Sequence, residues 1–121
     1  FCHSTFADAS SQRVLKLEEH IRVSRELGAS FKKVTFAGGE PTLYSGLRQL
    51  AEAAKSGGTT TNLVTNASRL ADPTGKYRKL QSLAHCIDWL TISADAGTEE
   101  AHRRLGRCEA NGRTLLQRIK E

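Results

Sequence analysis

Two periods of apolar and polar residues alternate along this chain. From Val14 to Leu27, the positions Val14, Leu17, Ile21 and Leu27 approximate the stripe of an amphipathic helix, and Gly28 reads as its C-terminal stop. Lys32–Phe36 reads as a short strand, followed by a turn with two glycines. A second helix is expected from about Tyr44 to Lys55, with Leu47, Leu50, Ala51 and Ala54 on one side and Gly57-Gly58 closing it. Thr60–Thr65 is rich in β-branched residues and predicts a strand, ended by Asn66-Ala67-Ser68. A third helix over Thr74–Ala84 buries Tyr77, Leu80 and Leu83. Ile87–Ser93 is the third strand, and its apolar stretch Trp89-Leu90 and Ile92 predicts burial on both faces. Thr98 is placed to cap a helix, with Glu99 and Glu100 in the first turn. A last helix over Asn111–Lys120 presents Leu115, Leu116 and Ile119.

The strand starts recur at the roughly 30-residue spacing of βαβ units. Alternating strands and helices predict the α/β class with a parallel sheet. Three strands are too few for a complete α/β domain. Residues 1–121 are therefore read as a single incomplete domain, part of a larger barrel or open sheet.

Composition narrows this picture only slightly. Hydrophobic content of 38% and charged content of 26% indicate an ordered globular chain. No run approaches the ~18 apolar residues of a membrane span, and no secretory pattern opens the sequence. A net charge of +5 suits an anionic ligand such as a nucleotide. The basic residues are scattered, without the aromatic-basic stripe of a nucleic-acid binder. The chain has no methionine and opens on Phe1-Cys2-His3, which points to a fragment of a longer protein. Cys2, Cys86 and Cys108 are odd in number and far apart, against a disulfide framework and without the short spacing of a zinc site. Unpaired cysteines fit a reducing, cytoplasmic compartment.

Candidate chemistry gathers where a parallel sheet places the carboxyl ends of its strands. That edge collects Gly38, Gly39 and Glu40 from the first strand, Asn66 and Ser68 from the second, and Ser93 and Asp95 from the third. Open α/β sheets bind ligands there. Each residue alone also has a structural reading: Asn66 as a turn former, Ser93 as a strand end, Asp95 as a local cap. Familiar phosphate loops are excluded. There is no G-x-G-x-x-G, and Gly75-Lys76 is followed by Tyr77 and lacks the glycine spacing of a P-loop.

The stretch Phe36-Ala37-Gly38-Gly39-Glu40-Pro41 resembles the GGEP motif of radical S-adenosylmethionine enzymes. Leu63-Val64-Thr65-Asn66-Ala67-Ser68, Leu90-Thr91-Ile92-Ser93-Ala94-Asp95, Glu99-Glu100 and Leu105-Gly106-Arg107 follow in the order found in viperins, so the similarity runs from Cys2 to Lys120. The resemblance implies part of a partial (β/α)6 barrel, with S-adenosylmethionine and a 4Fe–4S cluster as cofactors. It implies that the full protein dehydrates a nucleoside triphosphate, usually CTP, to a 3′-deoxy-3′,4′-didehydro nucleotide. The route is a 5′-deoxyadenosyl radical, and the role is antiviral defence. An electron donor such as flavodoxin or ferredoxin is implied as a partner.

By the same resemblance Cys2 matches the third of three cluster cysteines, the first two lying upstream. Gly38, Gly39 and Glu40 match the methionyl site. Asn66, Ser93 and Arg107 match contacts to the cofactor's ribose and carboxylate. Lys33 matches a lysine that reaches substrate phosphate, although a solvated charge beside Lys32 explains it equally well. The chain departs from the family pattern at Ala67, where glycine is usual, at Ala94, where cysteine is usual, and at Thr35, which replaces an asparagine linked to nucleotide recognition. Two alternatives stay open: another radical enzyme that modifies a peptide or cofactor, and a degenerate binding scaffold. The 121-residue chain alone is expected to be inactive.

Overall fold

The structure, a computed structural model, describes residues 15–68, 79–108, 112–114 and 116–117. The elements follow in the order α1 (Leu17–Ser30), β1 (Lys33–Phe36), a 3-10 turn (Pro41–Leu43), α2 (Leu47–Ser56), β2 (Thr60–Thr65), α3 (Lys79–Leu83), β3 (Trp89–Ile92) and α4 (Glu99–Arg104). The strands form one sheet in the order β1-β2-β3, parallel throughout. The α/β class and parallel pairing expected from the sequence are present.

Strand alternation sorts the residues of the sheet onto two faces. Leu63, central in β2, is fully buried beneath Leu47 and Ala51 of α2, Leu83 of α3 and Cys86, with Phe36 and Ile87 packed alongside. Lys33, Thr35, Asn62, Val64, Trp89 and Thr91 alternate with these core positions and share the opposite face. On that face Lys33 Nζ lies 5.9 Å from the Trp89 ring centroid, and the Thr91 hydroxyl donates to Asn62 Oδ1 at 3.0 Å.

Several sequence expectations are corrected. Gly28 does not stop α1, which continues to Ser30. A Cβ there would fall 2.0 Å from the carbonyl oxygen of Ala54, so glycine is needed because α1 and α2 cross in backbone contact. The covered face of α1 holds Ser24 and Gly28, and the Ser24 hydroxyl donates to the Leu50 carbonyl at 2.7 Å; Leu27 is exposed. The helix expected from Tyr44 starts at Leu47, because Glu40 and Pro41 first make a 3-10 turn. Burial of β3 on both faces is overturned, since Trp89 is 64% and Leu90 45% exposed. β3 is the outer strand of the described sheet, with a neighbour on one side only. Of the helix expected over Thr74–Ala84, α3 is the described part, and Tyr77 lies outside the described residues. Half of the helix expected over Asn111–Lys120 does so too; of its described part, 112–114 are not helical, with Thr114 in an isolated bridge to Cys108, and 116–117 are helical. No helix among the described residues is long and apolar enough to cross a membrane.

At the amino end of the strands, a carboxylate joins β2 to β3. Asp88 Oδ2 accepts from the Thr61 amide at 2.9 Å and lies 3.0 Å from the Thr61 hydroxyl, while Oδ1 pairs with Lys55 Nζ. The Lys55 ammonium first, and the Thr61 amide and hydroxyl with it, hold the Asp88 pKa down at about 2.

Candidate functional site

After Phe36 the chain turns over the carboxyl edge of the sheet. Gly38 has a φ of 127°, a conformation L side chains rarely adopt, so the turn itself requires glycine. Gly39 differs. A Cβ added to it would meet nothing within 4 Å, and its φ lies outside the left-handed range. Nothing in the described protein demands glycine at 39, and the space before it is open to a ligand.

Glu40 follows in an extended conformation and caps the 3-10 turn, with Pro41 at the first turn position. Its carboxylate is a hub. Oε1 accepts from the Thr42 amide at 3.1 Å, from the Thr42 hydroxyl, and from the Thr65 hydroxyl at 2.7 Å. Oε2 accepts from the Asn66 amide at 2.8 Å. Partial burial pushes the Glu40 pKa up, and these four hydrogen bonds more than offset it, so the group titrates below the usual glutamate value. Among the described residues no cationic side chain pairs with Glu40.

The end of β2 is shaped to serve that hub. The Thr65 hydroxyl also accepts from the Ala67 amide at 3.1 Å, and Asn66 Oδ1 accepts from the Ser68 amide at 2.8 Å, an Asx turn. Between them Ala67 is buried with φ 58°, the one left-handed residue other than glycine among those described. The site at which the sequence has alanine instead of glycine is therefore one that favours glycine, at a cost of about 1 kcal/mol.

β3 contributes Ser93, whose amide donates to the Thr65 carbonyl at 2.9 Å and carries the ladder one residue past Ile92. Beyond it Thr98 caps α4, its hydroxyl accepting from the Ala101 amide at 3.2 Å, as expected. α4 ends in a Schellman motif. The Gly106 amide reaches the Arg103 carbonyl at 3.0 Å, and the Arg107 amide reaches the His102 carbonyl at 2.8 Å. Gly106, at φ 67°, supplies the left-handed residue this motif needs. The chain is thereby turned back so that Arg107 Nε lies 2.7 Å from Asp95 Oδ2.

The edge thus brings Gly38, Gly39, Glu40, Asn66 and Ser93 together around the ends of three adjacent strands, with Asp95 and Arg107 joined to each other just beyond. Lys33 is not at this edge. It opens β1, on the face opposite the core. Cys2 lies outside the described residues. Sequence reasoning missed Thr42, Thr65 and His102. Thr65 carried a usable signal, since it shares the inward face with Leu63, and a buried hydroxyl needs a partner. His102 carried none.

The family model described as the radical SAM superfamily matches residues 1–120. An S-adenosylmethionine-dependent nucleotide dehydratase of Lacinutrix mariniflava is 39% identical over 112 residues, covering 88% of this chain and 22% of that protein. A protein of the same name from Flammeovirga pacifica is 34% identical over 112 residues, covering 88% of this chain and 37% of its own length. The chain thus spans between about a fifth and two fifths of these relatives. No solved structure gives a significant match. With a family match over nearly its whole length, and a glycine turn and capping glutamate at the carboxyl edge of a parallel sheet, the chain belongs to the radical SAM superfamily.

Proposed function

We propose that this chain is the cofactor-binding portion of a nucleotide dehydratase of the viperin type, built on a partial (β/α)6 barrel and working in the cytoplasm. The superfamily's cofactors are S-adenosylmethionine and a 4Fe–4S cluster. Bound together, they supply one-electron chemistry that removes a hydrogen atom from a substrate carbon.

The residues present fit the methionyl end of that cofactor, which carries an ammonium and a carboxylate. The observation that carries the reading is Glu40: four neutral donors favour the charged form of its carboxylate, and no cation among the described residues neutralises it. Oε2 has a single donor among the described residues, which leaves it acceptor capacity for an ammonium. Gly39 leaves room for a close approach of backbone to ligand. Arg107 supplies a guanidinium fork for the carboxylate. Asn66 and Ser93, at the ends of β2 and β3, are assigned to the ribose. Cys2 is assigned to the cluster by its place upstream of the glycine turn.

The substrate would be a nucleoside triphosphate, CTP in the first instance, lying on the face of the sheet opposite the core. From the carboxyl edge to Lys33 is the length of β1, about 10 Å at 3.3 Å per residue. A triphosphate spans a distance of that order, so Lys33 is suited to its far end while the ribose faces the edge. The closing elements and a reducing partner of the flavodoxin or ferredoxin type belong to the rest of the protein.

The test uses the full-length protein, reconstituted anaerobically with iron and sulfide and given S-adenosylmethionine, a reductant and each nucleoside triphosphate in turn. Loss of one water from one nucleotide, together with release of 5′-deoxyadenosine, is the expected result. Cofactor cleavage with every nucleotide left intact would favour a radical enzyme acting on another substrate. Failure to take up a cluster would favour a scaffold.

A further inference from the structure

Arg107 reaches the site by an unusual route. It follows a helix of only six residues, on a chain segment that leaves β3, turns and comes back. A long flexible side chain on such a segment loses side-chain entropy when it binds, unless something already holds it. Two residues do so. Asp95 Oδ2 lies 2.7 Å from Arg107 Nε, at an angle that makes an ion pair rather than an aligned hydrogen bond. His102 is fully buried, and its Nε2 lies 2.8 Å from the carbonyl oxygen of Ala96. A carbonyl can only accept, so Nε2 carries a hydrogen, and Nδ1 is buried without a partner among the described residues. The His102 backbone carbonyl in turn accepts the Arg107 amide at 2.8 Å. His102 therefore ties both halves of the return together: its ring holds the stretch after Asp95, and its carbonyl holds Arg107.

A buried imidazole with one unused nitrogen is a poor choice for packing alone, where an apolar residue would leave no polar atom unsatisfied. Its ring spans from the helix to Ala96 with one directed hydrogen bond, which an apolar side chain cannot do. Asp95 in turn occupies the Nε end of the guanidinium. An anion is then left with the terminal nitrogens.

We propose that Asp95 and His102 are positioning residues that set Arg107 in advance for the carboxylate of S-adenosylmethionine. The proposal rests on the reading of Arg107 as the carboxylate contact. Asp95 orients the fork and His102 fixes the distance between the two segments.

The full-length protein tests this through equilibrium binding of two ligands, S-adenosylmethionine and its decarboxylated form, which lacks only the carboxylate. Wild-type protein prefers the carboxylated ligand. Asp95→Asn is expected to weaken S-adenosylmethionine about tenfold, in the range of one charge-assisted contact, and to change the decarboxylated ligand less than about twofold. His102→Leu should lose the same preference, and His102→Gln, whose amide can still donate to Ala96, should restore it. Equal weakening of both ligands in Asp95→Asn, or no weakening of either, overturns the proposal. Arg107→Gln separates the underlying reading: if it keeps the preference, Arg107 is not the carboxylate contact. If Arg107→Gln loses the preference while Asp95→Asn and His102→Leu keep it, only the positioning roles fail. Should His102→Leu fail to fold, the Asp95→Asn comparison decides by itself.

Discussion

Two carboxylates bracket β2, and they are held in nearly the same way. Asp88 at the amino end takes the amide and hydroxyl of Thr61; Glu40 at the carboxyl end takes the hydroxyl of Thr65, the amide of Asn66, and the amide and hydroxyl of Thr42. Both titrate below their ordinary values. The difference is the counterion. Asp88 has Lys55, whereas Glu40 has hydrogen bonds without a cation among the described residues. A carboxylate paired with a cation is electrostatically complete. One held charged by neutral donors keeps its field for something else. The amino end is thus a joint, whereas the carboxyl end has the charge that its proposed role as a seat for a cation requires.

Exchanges at the two ends should separate these roles. The largest effect is expected from Gly39→Val in the full-length protein. No atom of the described residues lies within 4 Å of a Cβ at that position, so the melting temperature should stay near wild type. S-adenosylmethionine should bind at least about tenfold more weakly, because the side chain fills the ligand's space. A variant that binds normally would mean the open space is not the cofactor's.

Thr61→Val should do the reverse. It removes the hydroxyl lying 2.7 Å from the Cys86 carbonyl and 3.0 Å from Asp88, in a fully buried position. Chemical denaturation should show a loss of about 1–3 kcal/mol with unchanged cofactor affinity. Loss of affinity at unchanged stability would erase the distinction between the ends.

Acid sharpens the same contrast. The Asp88 pKa is lowered on folding, from 3.8 to about 2, so its contribution to stability is fully present above pH 3.8 and disappears as pH falls through about 2. Lys55→Gln removes the largest cause of that lowering. The variant should be less stable than wild type above pH 3.8 and lose less as the pH falls below it, read by chemical denaturation at neutral and acid pH, with no difference near neutral pH in how the carboxyl end binds its ligand. Glu40 has the same sign of dependence without any contribution from Lys55.

The smallest effect is expected at Ala67. Replacing it by glycine relieves the left-handed backbone at φ 58°. Thermal unfolding should show a gain of at most about 0.5 kcal/mol, the strain relieved less the added freedom of the unfolded chain.

Much of the fold is legible in the sequence because element order depends on local periodicity. The three strands and the Thr98 cap follow from patterns within a few residues. What escaped depends on contacts across the chain. Gly28 looks like a helix stop, and only the proximity of Ala54 shows that it is a crossing point. Trp89 and Leu90 look like buried strand residues, yet burial depends on what stands beside β3, which no local pattern encodes. At the site, the glycine turn, Asn66, Ser93 and Arg107 are legible through their order along the chain. The partners of Glu40 are not, since Thr65 lies 25 residues away and is chosen by register. Gly106 falls between these cases: the residue is conspicuous, but its use in aiming Arg107 at Asp95 appears only with the helix end in view.

The most direct test of the cation seat compares S-adenosylmethionine with its 2-oxo analogue, which lacks the methionyl amino group, in wild-type full-length protein and in Glu40→Gln. Wild type should bind the amino-bearing ligand at least about tenfold more tightly, and Glu40→Gln should lose most of that preference. A preference that survives intact in a folded Glu40→Gln variant would show that the uncompensated carboxylate at the carboxyl edge is not where the ammonium sits.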